Sequence, residues 1–259
     1  MAEPLLDGRT APLRVAVLVS ATGANLTTLL ELSRDRPDVL EVVLVASDRR
    51  GTPALDVARA AGVEAWPGDF ERECGRFSEC RTDADRARYR DLAEAFHDRL
   101  ADRVEEFEHA RGEIDLVVLA YHRWIHGRLL KKFDRRVVNQ HPGDLASLRP
   151  DGTRALVGLD PVGDALRRGD RATRTSTFLV DASHDGGPVL AQGPEVPYEG
   201  GSHAEHELRQ KTLSDRPALR FAVTALAEGR YGIDRRTHPD GSAVVLLDGQ
   251  PLPLGGMKL

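Results

Sequence analysis

Four short apolar runs constrain the fold most: LRVAVLVS at 13–20, EVVLVAS at 41–47, IDLVVLAY at 114–121 and RRVVNQ at 135–140. Each is rich in Val, Leu or Ile and bounded by polar or turn residues, the character of strands buried on both faces. The segments between them carry helical spacing instead. Leu26, Leu29 and Leu30 follow the first run and TPALDVARAAG the second, while Leu92, Phe96, Leu100, Val104 and Phe107 give a long charged helix one apolar face before the third. Strand and helix in alternation predict an α/β fold with a mostly parallel central sheet, helices on both faces and right-handed crossovers.

Beyond residue 141 the pattern changes. HPGDLASLRPDGTRALVGLDP predicts a long loop, PVGDALRRG a helix, TSTFLV a strand and GGPVLAQGPEVPY an extended segment. Residues 202–230 predict a helix in two parts, with Asp215 capping the second part before Pro217 and Leu219, Ala222, Val223 and Leu226 as its buried stripe. SAVVLLDGQPLPL predicts a hairpin around Asp248-Gly249. We therefore expect an α/β domain over 1–230 and a C-terminal extension over 231–259, a hairpin packed on the domain or at a subunit contact.

Charge and composition narrow the partners. With 36 basic and 41 acidic residues the net charge is −5, which gives no reason to expect nucleic acid, and an aromatic content of 5% supplies no stacking platform for a single strand. MAEPLLDGRT has no apolar core for a signal peptide and no run approaches a membrane span, so cytoplasmic residence is expected. Cys74 and Cys80 lie in the polar segment 68–85 and read as two reduced surface thiols. HAEH at 203–206 reads as a solvated helix face, and no metal is expected.

In an open parallel sheet, ligands bind beyond the carboxyl ends of the strands. There SATGANL offers a turn at Gly23 and helix amides that suit an anion, although Gly23 can equally serve the turn alone and Asn25 can equally cap the helix. VVNQHPGD places Asn139 and His141 on one side of a strand end, with Pro142 stopping the ladder. An amide can support an oxyanion and an imidazole can handle a proton, so the pair suits addition to a carbonyl. VDASHDGGPVLAQ adds Asp185 before Gly186-Gly187, with Asp181 and His184 less constrained. A carboxylate near His141 would favour its imidazolium form, whereas an ordinary turn would use Asp185 only on its own backbone.

The order of these pieces resembles the folate-dependent formyltransferase family. RVAVLVSATGANL, VVLVASDRRG, DLVVLA, VVNQHP and TSTFLVDASHDGGPVLAQ cover about residues 13–200 in the family's order. The resemblance implies a Rossmann-like formyltransferase fold and transfer of a formyl group from 10-formyltetrahydrofolate to a primary amine. In it Asn139 and His141 match the family's catalytic amide and imidazole, and Asp185 its catalytic aspartate. It also implies substrate contacts at Gly23, Ala24, Asn25 and Arg86, folate contacts at Arg123, Trp124, Ile125 and Asp181, and a monomer or homodimer whose partners are a small-molecule amine and a reduced folate.

The chain departs from the family on both pocket walls. SATGANL replaces S-G-x-G-S-N-L, YHRWIH at 121–126 replaces GFMRIL, GDLASLRPDGTR follows N-x-H-P with a longer loop, and Phe178 stands where many relatives have histidine. Two rivals to amine formylation follow. One is hydrolysis of 10-formyltetrahydrofolate, although the related hydrolases carry an extra N-terminal domain for which the stretch before the first strand leaves no room. The other is a folate- or nucleotide-binding protein without turnover.

Overall fold

The computed structural model describes residues 3–6 and 12–259, so the opening decapeptide read above lies partly outside the described residues. No helix among those described is long and apolar enough to cross a membrane. The chain forms two compact units, Arg14–Leu30 with Glu41–Val137, and Met1–Leu13 with Glu31–Leu40 and Val138–Leu259.

The first of these holds all or most of β1 (Leu13–Val19), α1 (Ala24–Asp35), β2 (Leu40–Ser47), α2 (Pro53–Ala60), β3 (Glu64–Pro67), α3 (Phe70–Cys74), α4 (Asp83–Arg111), β4 (Leu116–Ala120) and α5 (Gly127–Lys132). The strands run in the order β4-β1-β2-β3, with β1 parallel to β4 and β2 parallel to β3. Val15, Val17, Val19, Leu116 and Val118 are fully buried, which is why these strands read as unbroken apolar runs. The edge strand β3 has no such signature: of EAWP only Trp66 is buried, and Pro67 is tolerated because it closes an edge strand. The polar segment likewise hides α3, where Phe70 meets Phe96 at 5.1 Å and Cys74 joins their cluster. Cys74 is thus a core residue rather than the expected surface thiol, and burial pushes its pKa up to about 11.

The second unit holds β5 (Val137–His141), α6 (Pro161–Arg167), β6 (Ser176–Leu179), β7 (Val189–Gln192), α7 (His203–Gln210), α8 (Arg216–Ala227), β8 (Tyr231–Thr237), β9 (Ala243–Leu247), β10 (Gln250–Pro251) and β11 (Met257–Lys258). In the order β11-β7-β6-β5, β6 is antiparallel to β5 and β7, while β11 lies parallel to β7. Strands β8, β9 and β10 form an antiparallel meander, with Asp248 and Gly249 at φ 52° and 77° making its second turn. Phe178 is buried with Leu145 and Val189.

Asp215 does not cap a helix. A π-helical turn, Lys211–Asp215, joins α7 to α8 without a break in helical backbone, so no exposed helix start exists for Asp215 to close. Its buried carboxyl instead accepts the Thr175 hydroxyl, and burial raises its pKa. The expected class is found: an α/β, Rossmann-like arrangement with mostly parallel strands surrounded by helices.

Candidate functional site

Strand β5 ends at the polar residues singled out above. Its register against β6 pairs Asn139 with Phe178 and His141 with Ser176, so Asn139 and His141 share one side of the strand. The Asn139 Oδ1 accepts the Gln140 N–H at 2.8 Å. His141 is buried, with Nε2 2.7 Å from the Leu156 carbonyl oxygen and Nδ1 3.7 Å from Asp185 Oδ2. A carbonyl only accepts, so Nε2 carries the hydrogen and Nδ1 is the nitrogen that faces the carboxylate. Burial lowers the His141 pKa, with Asp185 and the Leu156 carbonyl opposing it.

Asp185 is held over the strand by a strained turn. Its φ is 50°, a left-handed value uncommon for a residue with a side chain. A Cβ at Gly187 would fall 1.8 Å from the Leu179 carbonyl oxygen, so glycine is required where the turn crosses the strand end. Asp185 Oδ2 accepts the Gly158 N–H at 3.2 Å and lies 3.5 Å from His184 Nε2. Asp181 closes the same turn on itself, accepting the Ser183 N–H at 2.8 Å, which is the role of a turn carboxylate.

The exit from β5 is fixed by residues that sequence reading missed. Gln210 Nε2 donates to the Pro142 carbonyl at 3.0 Å, and the Ser176 hydroxyl donates to the Gly143 carbonyl at 2.8 Å. At Gly143 a Cβ would come within 3.0 Å of His141 Nε2 and 2.9 Å of the Leu156 oxygen. The missing side chain therefore leaves room for the loop to reach the imidazole. Its contact is a backbone carbonyl, which no residue type announces.

The other candidates belong to the first unit. Gly23 has φ 83° and a Cβ there would meet the Ala54 Cβ at 2.9 Å, so the glycine is needed to pack the turn on α2. Ala24 and Asn25 are the first two residues of α1, so Asn25 is not its cap. Arg86 is half-buried on α4 and pairs with Asp83 at 2.7 Å. Arg123 is committed to Asp48 at 2.7 Å and Glu71 at 3.2 Å, with its guanidinium 4.8 Å from the Phe70 ring centre. Trp124 is 59% exposed, while Ile125 is buried.

The HAEH helix face is only half solvated. His206 is buried, its Nε2 2.7 Å from the Thr173 hydroxyl, because α7 turns the side that carries His206 and Gln210 toward Thr173. His203 lies 3.4 Å from Asp160 and 3.6 Å from Glu207, and Asp160 also caps α6 and pairs with Arg167.

With this geometry in place, comparison with known proteins defines the class. Residues 13–213 match the formyl transferase family, and the chain belongs to it as a folate-dependent formyltransferase enzyme. One relative, the phosphoribosylglycinamide formyltransferase of Mycobacterium tuberculosis strain H37Rv, is 32% identical over 248 residues that span 95% of this chain and 100% of the relative. The crystal structure of glycinamide ribonucleotide transformylase 1 from Symbiobacterium toebii superposes with a TM-score of 0.69 at 28% identity, covering 93% of this chain and 99% of that one. A formyltetrahydrofolate deformylase from Pseudomonas syringae pv. tomato shares the fold alone, at 17% identity and a TM-score of 0.65 over 93% of this chain and 66% of its own.

Proposed function

We propose that the chain transfers the formyl group of 10-formyltetrahydrofolate to the primary amine of a small metabolite, glycinamide ribonucleotide or another biosynthetic amine. The observation that carries this reading is the approach of Asp185 Oδ2 to His141 Nδ1, at 3.7 Å, beside Asn139 on the same strand end. The amine nitrogen attacks the formyl carbon, and the carbonyl oxygen gains charge. Neutral His141, with Nε2 already carrying its hydrogen, takes a proton from the attacking amine at Nδ1. The imidazolium so formed is stabilised by Asp185, and its positive charge together with the Asn139 amide supports the oxyanion. The new C–N bond stays, the bond to the folate nitrogen breaks, and the proton passes to that nitrogen through His141 or an Asp185-bound water.

In this reading Gly23, Ala24, Asn25 and Arg86 serve an acceptor's phosphate, Arg123, Trp124, Ile125 and Asp181 serve the folate, and the protein works in the cytoplasm as a monomer or homodimer. The relatives' names support glycinamide ribonucleotide as the acceptor to try first. Mass analysis of products from 10-formyltetrahydrofolate and an amine library, glycinamide ribonucleotide included, tests the proposal. An N-formyl product equimolar with tetrahydrofolate is expected. Donor breakdown without an acceptor would turn the reading to hydrolysis, and no turnover across the library would leave a binding protein.

A further inference from the structure

The long loop between β5 and α6 is folded as a small hairpin: the Ala155 N–H donates to Ser147 and the Arg149 N–H to Thr153, both at 2.7 Å, and Leu148 bridges Arg154. Arg154 points inward with only 4% of its side chain exposed. Its Nε donates to Asp240 Oδ2 at 2.8 Å, one Nη to the Asp185 carbonyl and the other to the Gly187 carbonyl at 2.9 Å. Asp240, with 3% of its side chain exposed, sits in the turn between β8 and β9, where its second oxygen accepts the Ser242 N–H at 3.0 Å and hydroxyl at 2.7 Å. Burial alone would raise the Asp240 pKa, but the Ser242 and Arg154 hydrogen bonds outweigh it and leave it lowered.

These contacts have one geometric consequence. The two carbonyls that Arg154 holds belong to the strained residue bearing the carboxylate, Asp185, and to the second glycine after it, Gly187. The same loop supplies the Leu156 carbonyl to His141 and the Gly158 N–H to Asp185. A guanidinium can grip one carboxylate and two carbonyls in a fixed fork, which an ammonium cannot reproduce. We infer that the buried Asp240–Arg154 pair is a positioning device, through which the C-terminal segment 231–259 holds the Asp185 turn in register with His141. Arg154 is a positioning residue that acts through Asp185, and the inference rests on the catalytic reading of Asp185 and His141.

Three variants of the full chain test it, with Arg154→Met alone as the reference for stability. Arg154→Lys keeps the charge and loses the fork, Asp240→Asn loosens the anchor, and Arg154→Met with Asp240→Asn removes both buried charges while leaving an oxygen for Ser242. Each should lower kcat about 10–100-fold with KM for the amine and donor held, since a displacement of about 1 Å is enough for that. Amide exchange across 183–188 should rise roughly tenfold, a readout independent of turnover. The double variant should melt closer to the parent than Arg154→Met alone yet stay slow. If its kcat returns along with its melting temperature, or if exchange at 183–188 and kcat are both unchanged in Arg154→Lys, the positioning role is wrong. Parent protein that formylates no amine, combined with faster exchange in the variants, would overturn the catalytic reading while leaving the anchor standing.

Discussion

Arg123 and Arg154 are both arginines withdrawn from solvent on loops, and they are used in opposite ways. Arg123 closes its charge on two side-chain carboxylates, Asp48 and Glu71, and covers the Phe70 ring. Arg154 meets one carboxylate and two main-chain carbonyls. The first arrangement neutralises charge and ties α3 to the ends of β2 and β4. The second fixes the path of a backbone turn, and that turn carries Asp185. A buried arginine is therefore informative through the kind of oxygen it meets, not through its burial.

If that contrast holds, the two regions fail differently when broken. The largest effect is expected at His141→Ala, which should cut turnover by about 10²–10⁴ while circular dichroism shows the fold retained. Near-normal turnover would remove His141 from the chemistry and erase the contrast.

In the first unit the expected loss is stability. Arg123→Met leaves the Asp48 carboxyl, none of whose side chain is exposed, without its partner at 2.7 Å, and removal of one partner from a buried pair costs about 3–5 kcal/mol. Urea unfolding should show that loss, and adding Asp48→Asn should recover most of it with kcat of the folded protein little changed. A stable Arg123→Met variant with a raised KM for the folate would instead make the folate contact proposed for YHRWIH the main role of Arg123.

Acid provides a third contrast in the same unit. His97 is enclosed by the rings of Phe70, Phe96 and Tyr121, and burial, its largest cause, lowers its pKa to about 4. The unfolded chain binds the proton first, so stability is full above the ordinary histidine range and falls as pH drops from about 6.5 toward 4, by roughly 3 kcal/mol in all. His97→Leu should flatten that part of the stability profile measured by urea titration at stepped pH. His141 titrates in the same sense, so the residual slope in His97→Leu is expected to shrink again in His97→Leu with His141→Ala.

What sequence reading caught and missed follows the same physical line. Strands buried on both faces announce themselves by unbroken apolar runs, and Asn139, His141 and Asp185 stand out because side chains able to support an oxyanion or handle a proton fall where strands end. Strand β3 escaped because an edge needs few apolar residues, and Cys74 because a polar segment can still present one apolar side. Asp215 was misread because Asp before Pro is a common helix start, while continuity of the backbone through a π turn leaves no local trace. Arg154 was passed over for a stronger reason. Its partner Asp240 lies 86 residues away, and its other two partners are carbonyls that every residue possesses.

The smallest expected effect compares two helix starts of the same design. Thr82 with Asp85 opens α4 in the first unit, and Ser202 with Glu205 opens α7 in the second, each as a reciprocal capping box. Thr82→Ala and Ser202→Ala each remove one backbone partner and should lower the melting temperature by about 2–4 °C. Only the second helix carries Gln210, whose amide holds the Pro142 carbonyl next to His141. Fraying confined to the first turn of α7 should not reach Gln210 at its far end, so kcat is expected to stay within about twofold of the parent in both variants. A selective loss of kcat in Ser202→Ala would show that α7 moves as a rigid rod, and would extend the second region's orienting function from the Arg154 loop to this helix.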